Sequence, residues 1–168
     1  MERTLSDLIP IARRLMQEYS ALSKWGDETL AIWLRDSCRC VYCGVDMLQN
    51  RQHISNLQQR EHLLPARDYP ILTNCSENIV LCCASCNSFK ARWDPNKQAV
   101  GEPQLVADDA TSITYHERSQ LVWRTRQHLR AAINQSEQSF WEQREVILDA
   151  MYKIADSSLS EVGAAAGR

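Results

Sequence analysis

Cys40-Val41-Tyr42-Cys43-Gly44 and, after 39 residues that separate Cys43 from its counterpart, Cys83-Ala84-Ser85-Cys86-Asn87 are the two stretches whose reading decides the fold. Each CxxC turn points two thiolates at one ion. Zinc takes four of them in a tetrahedron with bonds of about 2.3 Å, so the two pairs predict a structural zinc site that clamps distant segments together. Gly44 suits the tight knuckle after the first pair. Cys38 and Cys82 stand beside the pairs without giving the two-residue spacing, and together with Cys75 they are assigned to packing or partial exposure. The odd total of seven cysteines favours ligation over disulfides. The opening MERTLSDLIPIARRLMQ lacks the apolar run and cleavage site of a secretion signal, and no stretch is long and apolar enough for a membrane span. The expectation is a cytoplasmic protein. A zinc closed by four thiolates hydrolyses nothing, so any catalysis belongs to other residues.

Working outward, Arg60-Glu61-His62-Leu63-Leu64-Pro65 lies between the knuckles, and Glu77-Asn78-Ile79-Val80-Leu81-Cys82 leads into the second. On a strand, Glu61 and His62 point to opposite faces unless the strand ends or bulges there. On a helix starting near Cys83, residues Cys83, Cys86, Asn87 and Lys90 share one face, so zinc ligation fixes the rotation of the helix that presents Asn87. Carboxylate and amide oxygens are hard donors for Mg2+ or Mn2+, and a neutral histidine can take a proton from an attacking water. These are the parts of a metal-assisted phosphodiesterase. His53 has no spacing that fixes a role and reads as structural.

The pattern Cys40-x2-Cys43, Glu61-His62-x2-Pro65, Asn78-Ile79-Val80-Leu81, Cys83-x2-Cys86-Asn87 and Lys90 resembles the HNH endonuclease family, in its form with a zinc-binding CxxC pair on each side. The resemblance covers residues 40 to 90. It implies a ββα-metal core and leaves both flanks unassigned; with the N-terminal helices and the long C-terminal helical segment read from the chain itself, the expected fold class is α+β. It implies His62 as general base, Glu61 and Asn87 as ligands of a catalytic Mg2+ or Mn2+, and Asn78 as the brace of the loop that positions the base. Asn87 at the last position makes the chain an HNN variant, and Glu61 stands where the family usually has Asp. The activity implied is hydrolysis of DNA phosphodiester bonds, with a role in anti-phage defence beside a partner protein such as an ATPase or sensor, or beside a second copy. Two other readings stay open: a non-catalytic zinc module binding nucleic acid or a protein, and a ribonuclease using the same site.

Composition constrains the partner less. The chain has 168 residues, 44% hydrophobic and 24% charged, with a net charge of −2. That rules out a large multidomain enzyme and a generally basic nucleic-acid coat, and it leaves any polyanion site as a local patch. Arg60, Lys90 and Arg92 are the expected nucleic-acid contacts, and Arg118, Arg124, Arg126 and Arg130 form a second basic cluster. The predicted divisions are a helical flank at 1–36, the zinc-bearing core at 37–97, a linker at 98–110, a helical segment at 111–156 and a disordered tail at 157–168. Within the flank, apolar spacing predicts a helix from Thr4 to about Ser23 and a second over Glu28–Arg35 capped by Asp27. The C-terminal segment reads as one rod, or as two helices broken near Asn134-Gln-Ser-Glu137, with only a weak coiled-coil repeat (Ile133, Phe140, Ile147, Ile154). Its apolar residues and Trp123, Phe140 and Trp141 have three placements, on a partner, on a second copy or in the core, of which core packing is favoured.

Overall fold

The computed structural model describes residues 4–22, 25–50 and 58–165, so His53 lies outside the described residues. Helix α1 (Leu5–Glu18) opens on a reciprocal cap in which the Asp7 carboxylate accepts the Thr4 backbone N–H and the Thr4 hydroxyl accepts that of Asp7. It ends earlier than its apolar spacing predicts, in a single 3-10 turn at Ser20–Leu22. Helix α2 (Asp27–Arg35) takes Gly26, at φ 75°, as its cap; Asp27 is already helical, and its carboxylate accepts the Glu28 N–H. The expected cap is thus shifted by one residue, because only the glycine adopts the left-handed turn at no steric cost. The two helices pack on each other through Leu5, Leu8, Ala12, Leu30 and Ala31.

After α2 the chain turns through Ser37 and Cys38, both left-handed, into the first knuckle. Strand β1 (Gln58–His62) then pairs antiparallel with β2 (Ile79–Cys83), with Glu61 opposite Val80 and His62 opposite Ile79. A loop with two 3-10 turns, Pro70–Leu72 and Ser76–Asn78, joins the strands, and helix α3 (Ala84–Lys90) follows β2 directly. The architecture is mixed: helices around a small two-stranded sheet. From Val80 to Cys83 β2 is buried without alternation, and Leu63, Leu64, Leu72, Trp33 and Leu121 complete the core around it.

The predicted linker is tied down. Asn96, itself buried, donates to the Tyr69 hydroxyl and the Val106 carbonyl and accepts from the N–H groups of Leu105 and Val106. Helix α4 (Tyr115–Ala165) then starts four residues later than expected, on a capping box between Thr114 and Glu117. It runs unbroken through 134–136 and on past 156, where a tail was expected. With no proline after Pro103 and no glycine before Gly163, nothing in the backbone stops it.

Two side-chain expectations are corrected here. Arg118 and Arg124 are buried, the first against Asp36 at 2.7 Å and Glu77 at 3.5 Å, the second against the Pro95 carbonyl and Glu102. Arg126 is exposed and donates to the Val41 carbonyl. Of the second basic cluster, Arg118 and Arg124 are thus taken into structural contacts, while Arg126 and Arg130 are exposed. Trp123, Phe140 and Trp141 are exposed, so the core is not where they pack.

Residues 1–129 form one compact unit and residues 130–168 a second. No described helix is long and apolar enough to cross a membrane.

Candidate functional site

The sulfurs of Cys40, Cys43, Cys83 and Cys86 lie within 4.8 Å of one another, and among the described residues this is the one cluster of three or more Cys, His, Asp or Glu side chains placed to hold an ion. A tetrahedron with bonds of about 2.3 Å has edges of about 3.8 Å. The Cys43 and Cys83 sulfurs stand 3.8 Å apart. Local backbone explains the convergence. Gly44, at φ 77°, turns the chain so that its N–H reaches the Cys40 carbonyl and the Val45 carbonyl receives the Cys40 N–H. On the other side Cys83 caps α3, its sulfur accepting the Cys86 N–H at 3.4 Å. The donor set fits structural zinc.

The thiol chemistry points the same way. Hydrogen bonds from Cys43, Cys83 and Cys86 hold Cys40 far below the ordinary thiol value, whereas the same contacts with Cys40 push Cys83 and Cys86 well up. Four thiolates this close repel one another until a cation lies between them. Cys82, excluded by spacing, is buried away from the cluster, and its burial raises its thiol pKa.

Tyr42, inside the first knuckle, links the metal centre to the strand. Its hydroxyl donates to Glu61 at 2.6 Å, and the other Glu61 oxygen takes the Lys90 ammonium at 2.5 Å. Lys90 also donates to the His62 carbonyl at 3.0 Å. Burial pushes the Glu61 carboxyl up, and the Lys90 charge draws it back; burial also raises the Tyr42 phenol, which stays a donor. Glu61 therefore differs from its expected role. Both its oxygens are engaged and its charge is cancelled inside the fold, so it does not fit an ion ligand. Lys90 differs too: at 1% exposure its ammonium is engaged by Glu61 and the His62 carbonyl.

His62 ends β1, and its Nε2 stands 3.0 Å from the Thr73 carbonyl. A carbonyl only accepts, so Nε2 carries a proton, and in the neutral ring Nδ1 is the acceptor. Thr73 follows directly on Leu72, and Leu72 is held by Asn78. The buried Asn78 amide donates to the Leu64 and Leu72 carbonyls and accepts the Leu64 N–H at 2.8 Å. Asn78 thus braces both ends of the segment that orients the histidine.

His62 lines a cleft of about 380 Å3 that also includes Arg60, Arg67, Asp68, Asn87 and Arg92. Since Glu61 and Lys90 cancel, three exposed arginines face one exposed carboxylate there, and the cleft is positive. Asn87 rides on α3 one residue after the zinc ligand Cys86, and its amide makes no hydrogen bond to another described residue. The structure brings His62, Asn87, Arg60 and Arg92 together at this cleft, whose wall also includes the paired Glu61 and Lys90. Arg67, Asp68, Thr73 and Tyr42 were not singled out from sequence. The first two stood out only as charges in the loop after Pro65, and Tyr42 was hidden between two ligands.

Comparison with family models, with curated proteins and with solved structures finds no match for this chain.

Proposed function

We propose that the chain is an HNH-type endonuclease in which His62 activates a water for attack on a DNA phosphodiester. The supporting observation is the histidine itself: its Nε2 is fixed on the Thr73 carbonyl, and the residue borders the positive cleft with Arg60, Arg67 and Arg92. In this reading the β1, β2 and α3 elements form the ββα core of that family. Arg60, Arg67 and Arg92 hold the phosphate, and such contacts supply affinity that falls with salt. Water attacks phosphorus, Nδ1 of His62 takes its proton, and the 3′ oxygen leaves. Glu61 and Lys90 act as positioning residues through the His62 carbonyl, and Asn78 positions the ring through Leu72 and Thr73.

A Mg2+ or Mn2+ ion would be held by the Asn87 amide and the Asp68 carboxylate, hard oxygen donors lining the cleft; when bound it polarises the phosphate and stabilises the leaving oxygen. Roles in bacterial anti-phage defence, in the cytoplasm and beside an ATPase or sensor, rest on the family resemblance alone. A second reading, a zinc module that binds nucleic acid without cutting it, draws on the commitment of Glu61 to Lys90, which removes one ion ligand.

The test is cleavage of supercoiled plasmid and of structured RNA with Mg2+, Mn2+ or EDTA, on wild type, His62→Ala and Asn87→Ala, with folding checked by circular dichroism. Loss of a general base costs about 10²- to 10⁴-fold. Cleavage of DNA lost to that degree in folded His62→Ala supports the reading. Binding without cleavage by any form favours the zinc module, and cleavage of RNA alone reassigns the substrate.

A further inference from the structure

Between Ile133 and Met151, helix α4 carries a stripe of large apolar side chains that water still reaches. Phe140 is 59% exposed, Trp141 60% and Met151 62%, and Ile147 is likewise exposed. At 100° per residue, Ile133, Phe140, Ile147 and Met151 fall on one line, with Leu148 and Trp141 along its flank. Scattered exposed hydrophobics need no explanation, but a contiguous row of this length marks an interaction surface.

The charges on the stripe say what covers it. Between Ile133 and Met151, Glu137 and Arg144 are the ionised residues on that face; they sit symmetrically about the midpoint between Phe140 and Trp141, and the Arg144 guanidinium lies over the Trp141 ring at 5.5 Å. The same midpoint relates Ile133 to Leu148, while it sets Ile147 opposite Asn134 and Met151 opposite Arg130 at the ends of the stripe. Laid antiparallel on itself through that midpoint, the stripe sets Glu137 against Arg144 twice, Ile133 against Leu148 twice and Phe140 against Trp141 twice. A parallel pairing would instead put each charge opposite its own kind. Two-fold interfaces are self-complementary in this way, and flanking charge pairs set the orientation of helix pairs.

We infer that residues 133–151 of α4 form an antiparallel homodimer interface centred on Phe140 and Trp141. This goes beyond the nuclease reading and does not depend on it, since the readout is mass and not cleavage. A dimer would nonetheless give the particle two clefts.

The test is sedimentation equilibrium of the full chain from 1 to 100 µM, with helicity checked by circular dichroism. Wild type should sediment at twice 19.3 kDa. Glu137→Arg and Arg144→Glu, each alone, put like charges opposite each other and should weaken the dimer about tenfold, equivalent to about 1.4 kcal/mol. Mixing the two variants restores both pairs across the interface and should restore association. Phe140→Ala, which removes the central contact and adds no charge, should give monomer. A monomeric wild type at 100 µM overturns the inference and leaves the stripe to a different protein. Two single variants that dimerise as well as wild type, or a mixture that associates no better than either alone, also overturn it.

Discussion

From Cys40 to Lys90 the protein buries charge, and from Ile133 to Met151 it exposes hydrocarbon. In the first region Glu61 and Lys90 lie in the interior with every partner supplied: a phenol, a carbonyl and each other. In the second, Phe140, Trp141, Ile147 and Met151 face water along a single helix. Each region departs from the ordinary rule of apolar inside and charged outside. The first is tolerable because a buried ion with complete pairing avoids most of the desolvation penalty, while the second is tolerable only with a cover. A polar interior of that kind fixes geometry; an apolar exterior of this kind asks for company.

The contrast can be broken most decisively at the metal. Structural zinc contributes about 10–16 kcal/mol in zinc-finger peptides, as much as the whole stability of a typical domain. Cys86→Ser, or chelation of the wild type, should therefore abolish the near-ultraviolet circular dichroism of the buried Trp33 environment, with zinc content falling in step. A cooperative melt that survives zinc removal would show that hydrophobic burial alone holds the first unit. Next in size, Lys90→Met leaves Glu61 charged and buried without its cation, which should cost about 3–5 kcal/mol in urea denaturation. Glu61→Gln combined with Lys90→Met should recover most of that loss, and failure to recover would mean that Lys90 matters chiefly through the His62 carbonyl. Asn78→Ala orphans the Leu64 N–H and weakens the hold on two carbonyls, so a loss of about 2 kcal/mol is expected, with cleavage falling further than stability explains. Smallest is Arg67→Ala. Stability should change by less than about 0.5 kcal/mol, while the salt dependence of DNA binding loses about one unit of slope.

The sequence carried the metal centre well, because the ligands of a CxxC knuckle come from a local turn whose spacing is visible in the chain. For Asn78 the family pattern implied a brace, and in the structure its amide ties Leu64 to Leu72. The sequence did not show that Glu61 and Lys90 pair with each other, because that pairing depends on the approach of α3 to β1, which no spacing in either segment encodes. The arginines of α4 show the same limit. Arg118 finds Asp36 across 82 positions, and Arg124 finds Glu102 across 22, so a local count of positive charge mistook two buried anchors for a surface patch. The exposed stripe was written in the seven-residue spacing of Ile133, Phe140 and Ile147, but spacing shows only that a face exists, and exposure shows that it is unfilled.

Asp36 sets an order of events during synthesis. Its two oxygens take the guanidinium of Arg35, the backbone N–H of Leu81 and the guanidinium of Arg118, with almost none of the side chain left to water. On a ribosome, which releases the chain from its N-terminus at about 5–20 residues per second, α2 and β2 emerge first and Arg118 follows seconds later. Until it arrives, the acid between α2 and β2 has only part of its complement, and the hairpin that carries the zinc ligand Cys83 is waiting for its last clasp. The nascent chain therefore completes the surroundings of Asp36 late, after α4 has begun to clear the exit tunnel, and a product truncated before Arg118 is left unlatched.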